Sequence, residues 1–137
     1  MKIYCITIHD NHLEKIKKLG YVPVGLGENI TSKGFITDNT NNNISEKNRY
    51  YGEYTFHYWL WKNKILKEIN NWVGFCQYRK FWLKDKVKLE ATDISSLNNS
   101  LLQEIPEHLQ HYESILGESL FINQFRLSKF LKKVFSQ

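Results

Sequence analysis

Two stretches of this chain gather the residue types that handle anions. From Asp38 to Asn63 a run of Asp, Asn, Thr and Ser leads into a strongly aromatic segment, with Lys47 and Arg49 beside the point where a helix should begin. A polar loop feeding a helix N-terminus offers free backbone N–H groups and the positive end of the helix dipole, a chemistry suited to a diphosphate. Asn43, Ser45 and Asn48 lie in that loop, either as ligand contacts or as turn and cap residues, and Ser45 is the expected helix cap. The second stretch is Gly74-Phe75-Cys76-Gln77-Tyr78-Arg79-Lys80-Phe81, a strand ending in polar and basic groups. Ligands of open α/β sheets bind outside the carboxyl ends of the strands, so Gln77, Arg79 and Lys80 are candidate contacts. Lys47 and Lys62 are further cations for neutralising phosphate charge. Glu53 faces either a cleft or a basic neighbour, and His57, inside the aromatic segment, reads as a packing residue.

These groups need elements to position them. Ile3 to Ile8 alternates β-branched and aromatic residues before His9-Asp10-Asn11, the pattern of a buried first strand and its turn. Leu13, Ile16 and Leu19 fall at helical spacing and Gly20 stops the helix. Tyr21 to Val24 reads as a second strand, and strand–helix–strand at this spacing opens a βαβ unit, so the class is α/β. Gly25 to Asn43 has no sustained periodicity and reads as a long ordered loop of the kind that carries function. From Asn48 one long helix is expected through Ile69, with Tyr51, Tyr54, Tyr58, Trp61, Ile65 and Ile69 on one apolar stripe, Phe56, Trp59 and Leu60 burying it on a further face, and Asn70-Asn71 breaking it. Trp72 to Tyr78 is a central strand. Asp93 to Leu109 should be helical in part, limited by Pro106, and Leu120 to Phe135 reads as an amphipathic terminal helix that would suit a partner chain.

Composition narrows the class of function. The chain has 137 residues, 42% hydrophobic and 15% aromatic, which fits one folded domain. Its formal charge of +5 suits a phosphate-bearing ligand, nucleic acid, or peripheral association with an anionic membrane. Nucleic acid is disfavoured, because the aromatics fall at core spacing along helices and are not interleaved with Lys and Arg on one face. No apolar run approaches the roughly 20 residues of a membrane span, and the N-terminus lacks the grammar of a signal peptide, so the chain reads as cytoplasmic. Cys5 and Cys76 read as buried free thiols of a reducing compartment.

Four strings carry a family resemblance: Gly-Glu-Asn at 27–29, Asp-Asn-Thr…Asn-Ile-Ser-x-Lys-Asn at 38–48, Tyr-Gly-Glu-x-Thr-x-x-Tyr-Trp-x-Trp-Lys-Asn at 51–63, and Gly-x-Cys-x-Tyr-Arg at 74–79. They resemble a bacterial domain family catalogued without a function and found in capsular and exopolysaccharide gene products. Members are similar to glycosyltransferases of the GT-A fold class, which move a sugar from a nucleotide diphosphate to an acceptor hydroxyl. The likeness covers most of residues 1 to 81, with a weaker echo at Ile115 to Asn123. It implies a GT-A-like βαβ core with a mostly parallel sheet over 1–81, followed by a mostly helical part over 82–137 of the same single domain. Because members are usually longer, it also implies a truncated chain.

The same resemblance implies a nucleotide-sugar donor and a glycan acceptor as partners. It brings His9 and Asp10, at the first turn, near the base or ribose. GT-A enzymes commonly hold Mg²⁺ or Mn²⁺ on an Asp-x-Asp pair. None occurs in this chain, which leaves Asp38 as the candidate metal ligand and Arg79, Lys80, Lys47 and Lys62 as the agents of charge neutralisation. Two departures bear on activity. The family pattern has Gly-Asp where this chain has Asn41-Asn42, and His-Tyr-Arg-Arg where it has Gln77-Tyr78-Arg79-Lys80. The alternative expectation is therefore a shortened, non-catalytic relative that serves as a binding or scaffold subunit.

Overall fold

Four parallel strands organise the computed structural model, which describes residues 1–27, 30–64, 71–84 and 98–117. They are β1 (Lys2–Thr7), β2 (Val22–Gly25), β3 (Ile36–Thr37) and β4 (Val73–Gln77), in the spatial order β3-β2-β1-β4. β1 pairs with β2 from Tyr4 opposite Val22 to Thr7 opposite Gly25, and with β4 from Lys2 opposite Val73 to Ile6 opposite Gln77. A strand flanked by parallel neighbours and covered on both faces must be apolar throughout, as Ile3 to Ile6 are.

The pleat sends alternate residues of β1 into two cores. Ile3 and Cys5 pack with Ile16 and Leu19 of α1 (Leu13–Lys18), together with Tyr21 and Leu101. Tyr4 and Ile6 pack on the opposite face with Phe56, Trp59 and Leu60 of α3 (Tyr54–Asn63). Helices on both faces follow from topology: the chain winds from β1 through β2 to β3, then crosses back over the sheet to place β4 on the other side of β1. Gly20 ends α1 as expected: φ is +73°, its N–H bonds Lys17 O at 2.9 Å, and Tyr21 N–H bonds Ile16 O at 3.3 Å.

Several expectations are corrected. The 25–43 segment contains β3, a two-residue strand paired to β2 through Val24–Ile36 and Gly25–Thr37. The helix expected as one piece from Asn48 is broken at Gly52, whose φ of +54° and ψ of −130° end α2 (Asn48–Tyr51) before α3 begins. Ser45 does not cap α2; it lies in a single 3-10 turn (Ser45–Lys47) and its hydroxyl donates to Asn43 Oδ1 at 2.9 Å. The face of α3 that enters the core is Thr55, Phe56, Trp59 and Leu60, whereas Tyr51, Tyr54 and Trp61 of the expected apolar stripe are exposed. Ile65 and Ile69 lie outside the described residues.

The segment expected to be partly helical before Pro106 is described from Asn98 onward, where it forms 3-10 turns at Asn98–Ser100 and Glu107–Leu109. Between those turns it packs over the α1 side, with Leu101 fully buried opposite Leu83 and Leu102 N–H bonding Trp82 O at 2.9 Å. The expected helix from Leu120 to Phe135 lies outside the described residues. Among those described, no helix is long and apolar enough to cross a membrane.

Candidate functional site

The reversal of winding direction opens a crevice between the carboxyl ends of β1 and β4, the place where open α/β sheets bind ligands. On the α1 side it is built from Thr7, His9, His12 and Tyr78. Thr7 is buried, accepts the His9 N–H at 3.1 Å, and lies 2.8 Å from His12 Nδ1. The Thr7 hydroxyl and His12 Nδ1 share one proton-bearing contact, with Thr7 donating or accepting according to the imidazole tautomer. Burial lowers the His12 pKa, and the nearby His9 and Lys15 push the same way. The His12 ring stacks on Tyr78 at 4.1 Å between centroids, His9 stands edge-on to both rings, and the exposed Arg79 guanidinium lies 5.6 Å from the Tyr78 ring.

On the α3 side, Glu53, His57, Gln77 and Lys80 line a cavity of about 330 Å³ floored by Ile6 and Phe75. Gln77 Nε2 donates a short hydrogen bond to Glu53 Oε2. His57 packs on Phe75 with centroids 4.4 Å apart; burial lowers its pKa and the Glu53 charge partly restores it. A larger cavity of about 780 Å³ runs past Met1, Trp72, Tyr112 and Leu116 and shares Phe75 and Trp82 with the first. Its walls are mainly apolar, so the chemistry of the chain is concentrated in the smaller one.

Glu53, Gln77 and Lys80 line one cavity, His9 and Arg79 flank the Tyr78 ring at the end of the same strand, and other candidates have different work. Asp10 braces the segment after β2: its carboxylate accepts from Thr31 N and Oγ1 and from Ser32 N and Oγ, and these bonds, the Ser32 hydroxyl foremost, lower its pKa. Asn43 Oδ1 accepts from Ser45 N and Oγ, and Asn43 Nδ2 donates to Asn41 O, a turn closed on itself. Asn48 Nδ2 donates to Gly52 O and Thr55 Oγ1, tying α2 to α3. Lys47 is exposed beside the 3-10 turn. Lys62 lies nine residues beyond Glu53 along α3, roughly 13 Å of helix, and its Nζ sits 3.6 Å from the Trp61 ring.

Asp38 follows β3 directly, at the carboxyl edge of the sheet. It is 3% exposed, and its Oδ2 is buried with no hydrogen-bond partner among the described residues. An orphaned buried carboxylate oxygen costs free energy unless a water, an ion or a ligand supplies the missing donor. It is a single acid, and among the described residues no three His, Cys, Asp or Glu side chains come together as a metal site.

Sequence reasoning missed three features. It read His57 as packing alone; its four-residue spacing from Glu53 on one helix was the signal that the two share a face. It gave His12 no role, although Thr7 and His12 stand five apart across the turn. It drew no relation between Cys5 and Cys76, which are register partners on β1 and β4. Both are free thiols, and the Cys76 pKa is raised by its hydrogen bond with Cys5 and by burial.

The fold and crevice together define an open, doubly wound α/β protein with a polar site at its switch point. The chain belongs to the family described as Domain of unknown function (DUF4422), whose family model matches residues 2–135. No curated protein and no solved structure matches it.

Proposed function

We propose that this chain is a glycosyltransferase-like domain of the GT-A class, which takes a nucleotide-diphosphate sugar as donor in the synthesis of surface polysaccharide. The observation that supports this best is that Lys80, Gln77 and Glu53 line a cavity at the carboxyl ends of β1 and β4, while Arg79, His9 and His12 gather around Tyr78 at the end of β4. The nucleoside lies toward the β1 turn, where the His12 ring and the exposed His9 supply polar contacts. The diphosphate lies at the β4 turn, where Arg79 and Lys80 neutralise the charge that develops on the leaving group. Asp38 offers its unpartnered oxygen to an N–H or O–H of the donor.

The test is a calorimetric and thermal-shift screen of the chain against UDP, GDP and CMP and their common sugars, with and without Mn²⁺. The proposal expects one nucleotide to bind and Arg79→Ala to weaken it at least tenfold. A folded sample that binds none of them overturns it. The second reading, a non-catalytic binding or scaffold subunit, is favoured by the lack of a metal-ligating cluster among the described residues. Nucleotide binding without any turnover of the bound sugar would select it.

A further inference from the structure

Glu53 stands at the start of α3, with helical φ/ψ, where the first N–H groups of a helix lack partners within it. It makes no capping bond. Its carboxylate reaches across the crevice to Gln77, 24 residues away, and Gln77 holds one oxygen through an amide that carries no charge and does not titrate. Among the described residues the one ion pair is Lys17–Glu14, so Glu53 is not committed to a cation there. His57, one turn along the same helix, lines the same cavity. A half-buried carboxylate oriented by a neutral amide, free of a described ion pair and opening on a cavity is arranged to accept a proton.

We infer that Glu53 is the general base of this site, with Gln77 as the residue that positions it and His57 as the wall that keeps it partly dry. The inference rests on the sugar-transfer reading and names a group that reading leaves open. In the step, the hydroxyl of the acceptor, or of water in its absence, loses its proton to the Glu53 carboxylate as its oxygen bonds the anomeric carbon. The bond from that carbon to the donor phosphate oxygen breaks, and the nucleoside diphosphate leaves with the electron pair beside Arg79 and Lys80. The carboxylate ends protonated, the sugar changes partner, and the anomeric configuration inverts because attack is opposite the leaving group.

The experiment uses the nucleotide sugar found in the binding screen and follows its hydrolysis by water, so the natural acceptor need not be known. Glu53→Gln is expected to keep nucleotide affinity within about threefold and to lower turnover at least a hundredfold. Glu53→Ala with sodium azide is expected to recover turnover and yield the glycosyl azide, since azide attacks without losing a proton. Gln77→Ala should lower turnover about tenfold, and Gln77→Glu more, by placing like charge beside the base. Unchanged turnover in Glu53→Gln, no turnover in a wild-type chain that binds the donor, or loss of nucleotide affinity together with turnover each overturns the inference. A wild-type chain that binds no nucleotide fails at the earlier step, and the two failures are told apart by the binding measurement.

Discussion

The imidazole of His12 lies flat against the phenol ring of Tyr78, centroids 4.1 Å apart and planes 20° apart, and this contact ties the carboxyl end of β1 to that of β4. The two strands are already paired in register up to Ile6 and Gln77, and Tyr78 N–H bonds Ile6 O at 3.1 Å. The stack extends that pairing past the last ladder bond, where the crevice begins. Removing the ring by His12→Ala deletes a stacked aromatic pair and leaves the buried Thr7 hydroxyl without its imidazole partner. The expected loss is about 1–3 kcal/mol of unfolding free energy, read by urea denaturation. His12→Phe should keep the stack, lose only the hydrogen bond, and fall between the two.

Both His12 and His57 are held below the ordinary histidine pKa of 6.5 by burial. The sign follows from linkage: the unfolded chain binds protons near pH 6.5 and the folded chain only at lower pH, so between the two the unfolded state holds more protons and stability rises with pH. Full stability is expected above about pH 7 and a decline as pH falls through 6.5 toward the folded values. Denaturation midpoints from pH 8 to pH 5 check this. The double variant His12→Gln, His57→Gln should flatten that part of the profile, and an unaltered slope would assign it to other groups.

Asp38 separates stability from binding. Its buried, unpartnered oxygen carries a desolvation cost that an amide largely avoids. Asp38→Asn is therefore expected to leave the melting temperature unchanged or raise it, by the equivalent of up to about 1 kcal/mol, while weakening the nucleotide found in the binding screen. A variant that melts well below the wild type would mean that Asp38 has a stabilising role in the folded chain.

Asp10 works differently because its bonds lie on the surface. Its carboxylate accepts four hydrogen bonds from Thr31 and Ser32, and its lowered pKa means that this contribution is present above the ordinary carboxylate value of 3.8 and lost as pH falls through the folded one. Asp10→Ala should speed hydrogen exchange at the Thr31 and Ser32 amides while sparing β1 and β2. Uniform acceleration across the sheet would mean that the brace extends further than its contacts show.

The strands and the first helix were legible because their signals are local. The alternation in β1, the 13–16–19 spacing of α1 and the Gly20 stop each follow from the period of one element and its terminus. What was illegible depends on long-range contact. Gly52 sits in a run whose every other feature continues a helix, so its break shows only in the backbone. The Tyr51–Tyr54–Trp61 stripe has helical spacing, yet Phe56, Trp59 and Leu60 offer a competing stripe, and the surface of β1 and β4 decides which is buried. β3 is two residues long and exists because β2 offers it an edge. The crevice residues Arg79, Lys80 and Gln77 were readable as a strand end. Their conjunction with Glu53 and His57 was not, because it arises only when the chain crosses back over the sheet.

Gly25, at the end of β2, is closely packed. It ends β2 with its Thr37 partner beside it, and a Cβ added there would stand 2.6 Å from Ile30 Cγ2 and 3.1 Å from the Phe35 ring. The obstacle is a β-branched side chain whose methyl lies close to its own backbone, so relief requires the backbone after β2 to shift rather than a terminal atom to swing aside. Gly25→Ala is expected to cost about 1–3 kcal/mol by overpacking. Pairing it with Ile30→Ala should restore part of the loss, because the second change removes the atom that the first one strikes. Chemical denaturation of the two single variants and the double variant forms a cycle whose coupling term should favour the double. Strict additivity would show that Gly25 is required for its backbone alone and that Ile30 is not what excludes a side chain there.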